Sequence, residues 1–150
     1  MRAMTREDVD AVLAIEQEVQ RFPWTRGNFV DALGSGYLCY LDDAEGGGVR
    51  GYAILMPVAD EAELLNIGVS AAQQRKGLGR AMLAEMLGIA RGGNMHRVFL
   101  EVHSSNTAAI ALYHSAGFGE IGVRHGYYQN ADGSADALVM ACELAGELNG

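Results

Sequence analysis

Cysteine and basic residues are both in short supply. Cys39 and Cys142 are the only cysteines in 150 residues. They lie far apart in strand-like runs, without CxxC or Cys/His spacing, which argues against a disulfide scaffold or a cysteine-bound metal and for buried free thiols. His96, His103, His114 and His125 also lack ligand spacing, and no metal is expected. With 11 Lys and Arg against 19 Asp and Glu, the net charge is −8 and the isoelectric point is near 4.8. Such a chain has no basic stripe to displace counterions, which excludes general nucleic-acid binding and favours cationic partners. No apolar run reaches the roughly 18 residues of a membrane span, so no membrane association is expected. The acidic start, Met1 to Asp8, lacks the apolar core and cleavage site of a signal peptide, and a cytoplasmic protein is expected.

The hydrophobic content is 49%, enough for one domain, 1–150, with a substantial core and no staples. Repeats, low-complexity tracts and linkers are missing. Thr5 can cap a helix running to about Val19, with Val9, Val12 and Leu13 on its apolar face. Phe22-Pro23-Trp24 breaks it, and Thr25 can cap a short second helix carrying Phe29 and Leu33 on one side. Two strand-like runs, Tyr37 to Leu41 and Val49 to Val58, flank an acidic, glycine-rich turn and read as an antiparallel hairpin.

A third strand is expected over about Glu63 to Val69, after the acidic cluster Asp60, Glu61 and Glu63. A polar loop and a helix from about Gly79 follow, with Leu83, Met86, Leu87 and Ala90 as its core stripe. The strand Val98 to His103 comes next, and the strand-loop-helix-strand order makes it a parallel neighbour of the third strand. It has Val98, Leu100 and Val102 on one face and Phe99, Glu101 and His103 on the other. Ser105 or Asn106 caps another helix, with Ala109, Leu112 and Ala116 on one side, Tyr113 next to that stripe, and Gly117 closing it. Two last strands, Glu120 to Val123 and Ala137 to Leu144, are expected on either side of an aromatic loop and the turn from Asn130 to Gly133.

Gln74-Arg75-Lys76-Gly77-Leu78-Gly79 stands between a strand and an amphipathic helix. Unpaired backbone N–H groups and the positive helix end attract phosphate there. Gly77 and Gly79 permit close backbone approach, while Arg75, Lys76 and Arg80 add positive charge. Local spacing alone fits an ordinary basic, glycine-containing connection equally well. The Walker pattern is excluded because no Gly-Lys-Ser/Thr follows at the right distance. The dinucleotide fingerprint fails twice: Met82 occupies its third glycine position, and the glycines come seven or more residues after the strand.

Gln74-x-x-Gly77-x-Gly79 after a strand resembles the signature of the GCN5-related N-acetyltransferase (GNAT) superfamily, and the element order is similar over almost the entire chain. The resemblance implies an α/β fold: a mostly antiparallel sheet with a splayed parallel pair and flanking helices, its first strand reduced to about Arg2 to Met4. Four stretches are similar to the RimI type, bacterial enzymes that acetylate the N-terminal alanine of a small-subunit ribosomal protein. These are Phe22 to Thr25, Asn66 to Val69, Leu100 to Asn106 with Ala108 to Phe118, and Tyr127-Tyr128 with Asp132-Gly133 and Asp136. Gly126, where these enzymes often carry Asn, and Gln129, where Pro is common, depart from the pattern in the acceptor-side loop.

By that resemblance acetyl-CoA is the cosubstrate and the N-terminal peptide of a ribosomal protein the partner. Ile67, Gly68 and Val69 would bind pantetheine as an added strand, residues Arg75, Lys76, Gly77, Leu78, Gly79 and Arg80 would hold the diphosphate, and Asn106 would hydrogen-bond the cofactor. The base falls on Glu101 and the acid on Tyr113, with the Val69 N–H as donor to the developing oxyanion. Desolvation would raise the Glu101 pKa towards a useful range. By position alone Glu101 fits a surface strand residue and Tyr113 a packing aromatic.

An acceptor amine must be neutral to attack. An α-amino group near pKa 8 is neutral at roughly the 10% level at pH 7, while a lysine is about 3 kcal/mol worse. One carboxylate acting through a water could suffice for an N-terminus, and direct transfer to an N-terminal amine is the reaction the resemblance implies. Transfer to a lysine or small polyamine, and a CoA- or partner-binding module without turnover, remain as alternatives. A ping-pong route through Cys39 has no neighbouring base to support it. The acidic cluster could receive a basic peptide or merely be solvated, and Tyr127 and Tyr128 could line the acceptor groove or close the sheet edge.

Overall fold

A computed structural model describes residues 1–130 and 133–144, with the side chains at 128–130 and 133–134 left aside. Seven strands form one sheet in the order β1-β2-β3-β4-β5-β7-β6, sandwiched between two helical layers. The strands are β1 (Arg2–Ala3), β2 (Leu38–Asp43), β3 (Val49–Val58), β4 (Glu61–Val69), β5 (Arg97–His103), β6 (Gly119–Asn130) and β7 (Gly133–Glu143). The helices are α1 (Val9–Val19), α2 (Arg26–Gly34), α3 (Leu78–Gly92) and α4 (Thr107–Ser115).

Helix starts follow local capping chemistry. Thr5 and Asp8 bracket a 3₁₀ turn that leads into α1, with the Thr5 N–H donating to Asp8 Oδ2 at 2.8 Å. The Thr25 hydroxyl accepts from Asn28 N at 3.1 Å, and Asn106 Oδ1 accepts from Ala109 N at 3.2 Å. Each satisfies an N–H that the first helical turn cannot pair internally.

Alternation along β3 divides the interior. Tyr52 and Ile54 face α1 and α2 with Val12, Phe29 and Leu41, whereas Ala53 and Leu55 face α3 and α4 with Met86, Leu100 and Met140. The Phe29 and Tyr52 rings meet edge to face, 6.0 Å apart at 87°, a preferred arrangement for aromatic quadrupoles. Tyr113 is itself the most buried residue of α4, at 9% exposure, so it belongs to the apolar stripe beside which the sequence puts it.

One irregularity shapes the functional region. In the β3–β4 ladder Ile54 pairs with Asn66 and Leu55 with Leu64, leaving Leu65 as an extra residue. Such a bulge bends the strand and increases its twist. β4 and β5 are parallel as expected, but they pair only from Glu61–Arg97 to Glu63–Phe99. Beyond that point they splay.

The last two strands are longer than the sequence suggests. The segment read as an aromatic loop continues β6, because residues 125–127 bulge opposite Asp136 and pairing resumes at Tyr128–Ala135. Asp136 holds the bulge, accepting from Gly126 N at 2.9 Å. Gly126 has φ 63°, a left-handed conformation that glycine and asparagine both tolerate, which accounts physically for either residue at that position. The expected turn from Asn130 to Gly133 lies partly outside the described residues, as does Asp132.

Candidate active site

The splay opens a continuous cleft through the sheet. Its first part, about 550 Å³, is lined by Leu65, Asn66 and Ile67 on one wall and Glu101, His103, Asn106 and Tyr113 on the other. Its second part, about 660 Å³, runs along Ile67, Gly68 and Val69 to Gln74, Arg75, Gly77, Gly79 and Arg80. Ile67, Asn106 and Leu112 line both. Lys76 is exposed and Leu78 packs half-buried against the core; neither lines the cleft.

Ladder alternation fixes which β4 groups face this gap. Ser70 N donates to Arg50 O at 2.8 Å, so Gly68 and Asn66 continue the bonded pairs while Ile67 and Val69 turn their N–H and C=O groups away from β3. Two glutamines meet those carbonyls: Gln20 Nε2 donates to Ile67 O at 3.0 Å, and Gln74 Nε2 to Val69 O at 3.0 Å.

A buried polar cluster holds the bulged segment in place. Glu16, 1% exposed, accepts from Tyr52 Oη at 2.6 Å, Asn66 Nδ2 at 3.0 Å and Trp24 N at 2.9 Å. Burial, followed by the bond to Glu16, pushes the Tyr52 hydroxyl above its ordinary pKa, so the phenol stays a donor. Gly68 is a steric requirement of the same cluster, since a Cβ there would lie 2.2 Å from Tyr52 Oη.

At the other end of the cleft, Arg75 (φ 65°) and Gly77 (φ 82°) both adopt left-handed backbone. Arg75 accepts a conformational cost of about 1–2 kcal/mol that glycine would avoid. The turn brings the unpaired first-turn N–H groups of α3 to the cleft beside the Arg75 and Arg80 side chains, an arrangement suited to an anion. A Cβ on Gly79 would make only ordinary contacts, 3.7 Å from Leu112 and Val69. The polypeptide itself therefore does not demand glycine at that position.

Glu101 and Tyr113 reach the same cavity from different layers, the first from the side of β5 opposite α4, the second from α4 itself. Glu101 is 19% exposed and ion-paired, with Arg124 Nη1 donating to its Oε2 at 2.5 Å. Nearby Glu63 is held above the usual carboxylate range by burial and then by the Glu101 charge, with Arg124 pulling the other way. His103 accepts from Ser105 N at 3.2 Å through Nδ1. Cys39 and Cys142 are buried and free; burial pushes the Cys39 thiol up to about 11, which counts against a thiolate nucleophile.

A sequence profile described as the acetyltransferase (GNAT) family matches residues 8–118. This chain is a member of that family. It is 40% identical over 138 residues to the [ribosomal protein bS18]-alanine N-acetyltransferase of Escherichia coli strain K12, covering 92% of this chain and 93% of that one. It is also 40% identical over 146 residues to the N-alpha-acetyltransferase RimI of Mycobacterium tuberculosis H37Rv, covering 92% and 88%. The crystal structure of the E. coli ribosomal-protein-S18-alanine N-acetyltransferase superimposes with a TM-score of 0.88 at 39% identity, covering 97% of this chain and 94% of that one.

Within this GNAT domain, several site residues have no motif to announce them. Glu16 was discoverable, because it falls on the Val9 and Val12 face of α1 and a carboxylate in an apolar stripe calls for buried partners. Gln20 and Arg124 carried no such signal, since their partners are 47 and 23 residues away. The Tyr128 side chain lies outside the described residues, while Tyr127 is described and exposed.

Proposed function

We propose that this acetyltransferase transfers acetyl from acetyl-CoA directly to the N-terminal amine of a protein, with the N-terminal alanine of a small-subunit ribosomal protein as the acceptor. What supports this reading is one cleft with a helix start beside Arg75 and Arg80 at one end and a carboxylate and a phenol at the other. The two relatives named as α-amino or alanine acetyltransferases support the acceptor.

The residues present fit acetyl-CoA. Ile67 and Val69 offer outward backbone N–H and C=O groups to a pantetheine arm, as an added strand would use them, while Gly68 keeps Tyr52 in place behind them. Arg75, Gly77, Gly79, Arg80 and the first N–H groups of α3 suit a diphosphate. Asn106 spends its Oδ1 on Ala109 N, so its Nδ2 is the group available to a ligand. Acetyl-CoA supplies the acetyl group as a thioester. Glu101 takes the proton from the acceptor amine, directly or through a water, the Val69 N–H offers a fixed donor to developing negative charge, and the Tyr113 hydroxyl protonates the departing sulfur.

Peptides differing in their first residue, with either a free α-amine or a blocked α-amine and one lysine, test the acceptor. Free thiol release with Ala-initiated, unblocked peptides is expected. Turnover confined to the lysine or polyamine substrates would reject the N-terminal assignment, and binding of acetyl-CoA without any turnover would reject the enzymatic one. Tyr113→Phe should slow thiol release; full activity in that variant would reject the acid.

A further inference from the structure

The ion pair on Glu101 comes from an unexpected distance. Cross-strand rows run Glu101–Val139–Gly122 and His103–Ala137–Arg124 through β5, β7 and β6. Arg124 therefore starts two strands from β5, roughly 10 Å away at the usual strand spacing. Its side chain crosses β7 to donate to Glu101 Oε2 at 2.5 Å.

The bulge in β6 supports that reach. Residues three apart in a regular strand face opposite sides. Here His125, Gly126 and Tyr127 stand opposite Asp136 alone, since Arg124 pairs with Ala137 and Tyr128 with Ala135. The extra residues bring Tyr127 back beneath Arg124, whose Cζ lies 3.9 Å from the Tyr127 ring centre. Asp136 fixes the turn through Gly126 N at 2.9 Å and His125 Nδ1 at 3.3 Å.

We infer that Arg124 is a positioning residue for Glu101, stacked on Tyr127 and holding one carboxylate oxygen so that the other is presented to the acceptor amine. This rests on the reading of Glu101 as the base. A guanidinium suits the task because its planar fork can bond a carboxylate and stack on an aromatic face at once, which an ammonium cannot. Arg124 itself is 53% exposed, and an ion pair with one solvent-facing partner adds only modestly to stability.

The test is steady-state kinetics on the full-length chain with an Ala-initiated peptide, in wild-type and Glu101→Gln backgrounds. Arg124→Ala should lower kcat roughly 10- to 100-fold, the scale expected for a misplaced catalytic group, with acetyl-CoA affinity within about twofold and an unchanged thermal midpoint. Arg124→Lys should recover part of the rate, Tyr127→Phe should retain it, and Tyr127→Ala should lose several-fold. In the Glu101→Gln background none of these changes should reduce the residual rate further. A fully active Arg124→Ala beside a slow Glu101→Gln would overturn the inference alone, as would equal losses from Arg124→Ala in both backgrounds. Full turnover by Glu101→Gln would instead remove the base, and the inference with it.

Discussion

The carboxamide of Gln20 lies 3.0 Å from the carbonyl oxygen of Ile67, on the stretch of β4 that β5 has left. It comes from the C-cap of α1 and donates a second, longer bond to Asn66 Oδ1 at 3.3 Å. A side chain here stands in for the donor that a paired strand would supply.

Gln20→Leu should therefore have opposite effects on the free and the bound protein. Loss of the bonds to Ile67 O and Asn66 Oδ1 should lower unfolding free energy by about 0.5–1.5 kcal/mol each. Acetyl-CoA should bind correspondingly tighter, by roughly 2- to 10-fold, because a competitor for Ile67 O has gone. Calorimetric titration beside urea unfolding checks both, and weaker binding would show that Gln20 assists the ligand instead.

Gly68→Ala places a methyl carbon 2.2 Å from Tyr52 Oη. Tyr52 is fully buried and bonded to Glu16 at 2.6 Å, so it has nowhere to swing. A loss of about 1–3 kcal/mol is expected, the range for overpacking a core. A urea midpoint equal to wild type would mean that the cluster yields more readily than its contacts imply.

Arg75→Gly separates stability from binding. Glycine adopts φ 65° without the left-handed penalty of about 1–2 kcal/mol, which offsets the roughly 0.5–1 kcal/mol of extra entropy it loses on folding. The thermal midpoint should stay level or rise while acetyl-CoA affinity falls with the lost cation. A fall in both would place the Arg75 side chain in the structural framework.

Arg2 grips Asp8 through two bonds, at 2.9 and 3.0 Å, and Asp43 through Nε at 2.7 Å. The Arg2 hydrogen bonds, ahead of the opposing effect of burial, lower the Asp8 carboxyl from 3.8 to about 2. A depressed carboxyl stabilises the fold above its unfolded pKa, near 3.9, and that contribution disappears as pH falls through the folded value. The difference in thermal midpoint between wild type and Arg2→Met should be steady above about pH 5, shrink below about pH 4 and close towards pH 2. A gap that persists unchanged to the acid end would break the link to Asp8.

Features governed by neighbouring residues were readable in the sequence. Thr5, Thr25 and Asn106 mark helix starts because the N–H groups they or their partners satisfy lie within three residues. The parallel β4–β5 pair followed from the element order. Register was not readable, because whether Leu65 is paired or extruded depends on its match to β3, across a turn. The continuation of β6 was hidden for a similar reason: aromatic residues around Gly126 suggest a loop until Asp136 is known to hold them. Glu101 was found as a candidate base, but Arg124 and Tyr127 could be joined to it only once three strands had been placed side by side.

The extra residue at Leu65 divides β4 into halves of opposite parity. Even-numbered Ala62 and Leu64 face α3 and α4, yet beyond the bulge that direction belongs to odd-numbered Ile67 and Val69, while Asn66 turns to Glu16. Deleting Leu65 would restore unbroken alternation with every later residue on its present face and opposite its present β3 partner, whereas straightening the bulge with Leu65 retained would exchange those faces. In the straightened strand Asn66 would turn from Glu16 and Gly68 from Tyr52; in the deletion both would stay and only the bend of the bulge would go. One residue outside the β3 register thus stands where β4 parts from β5.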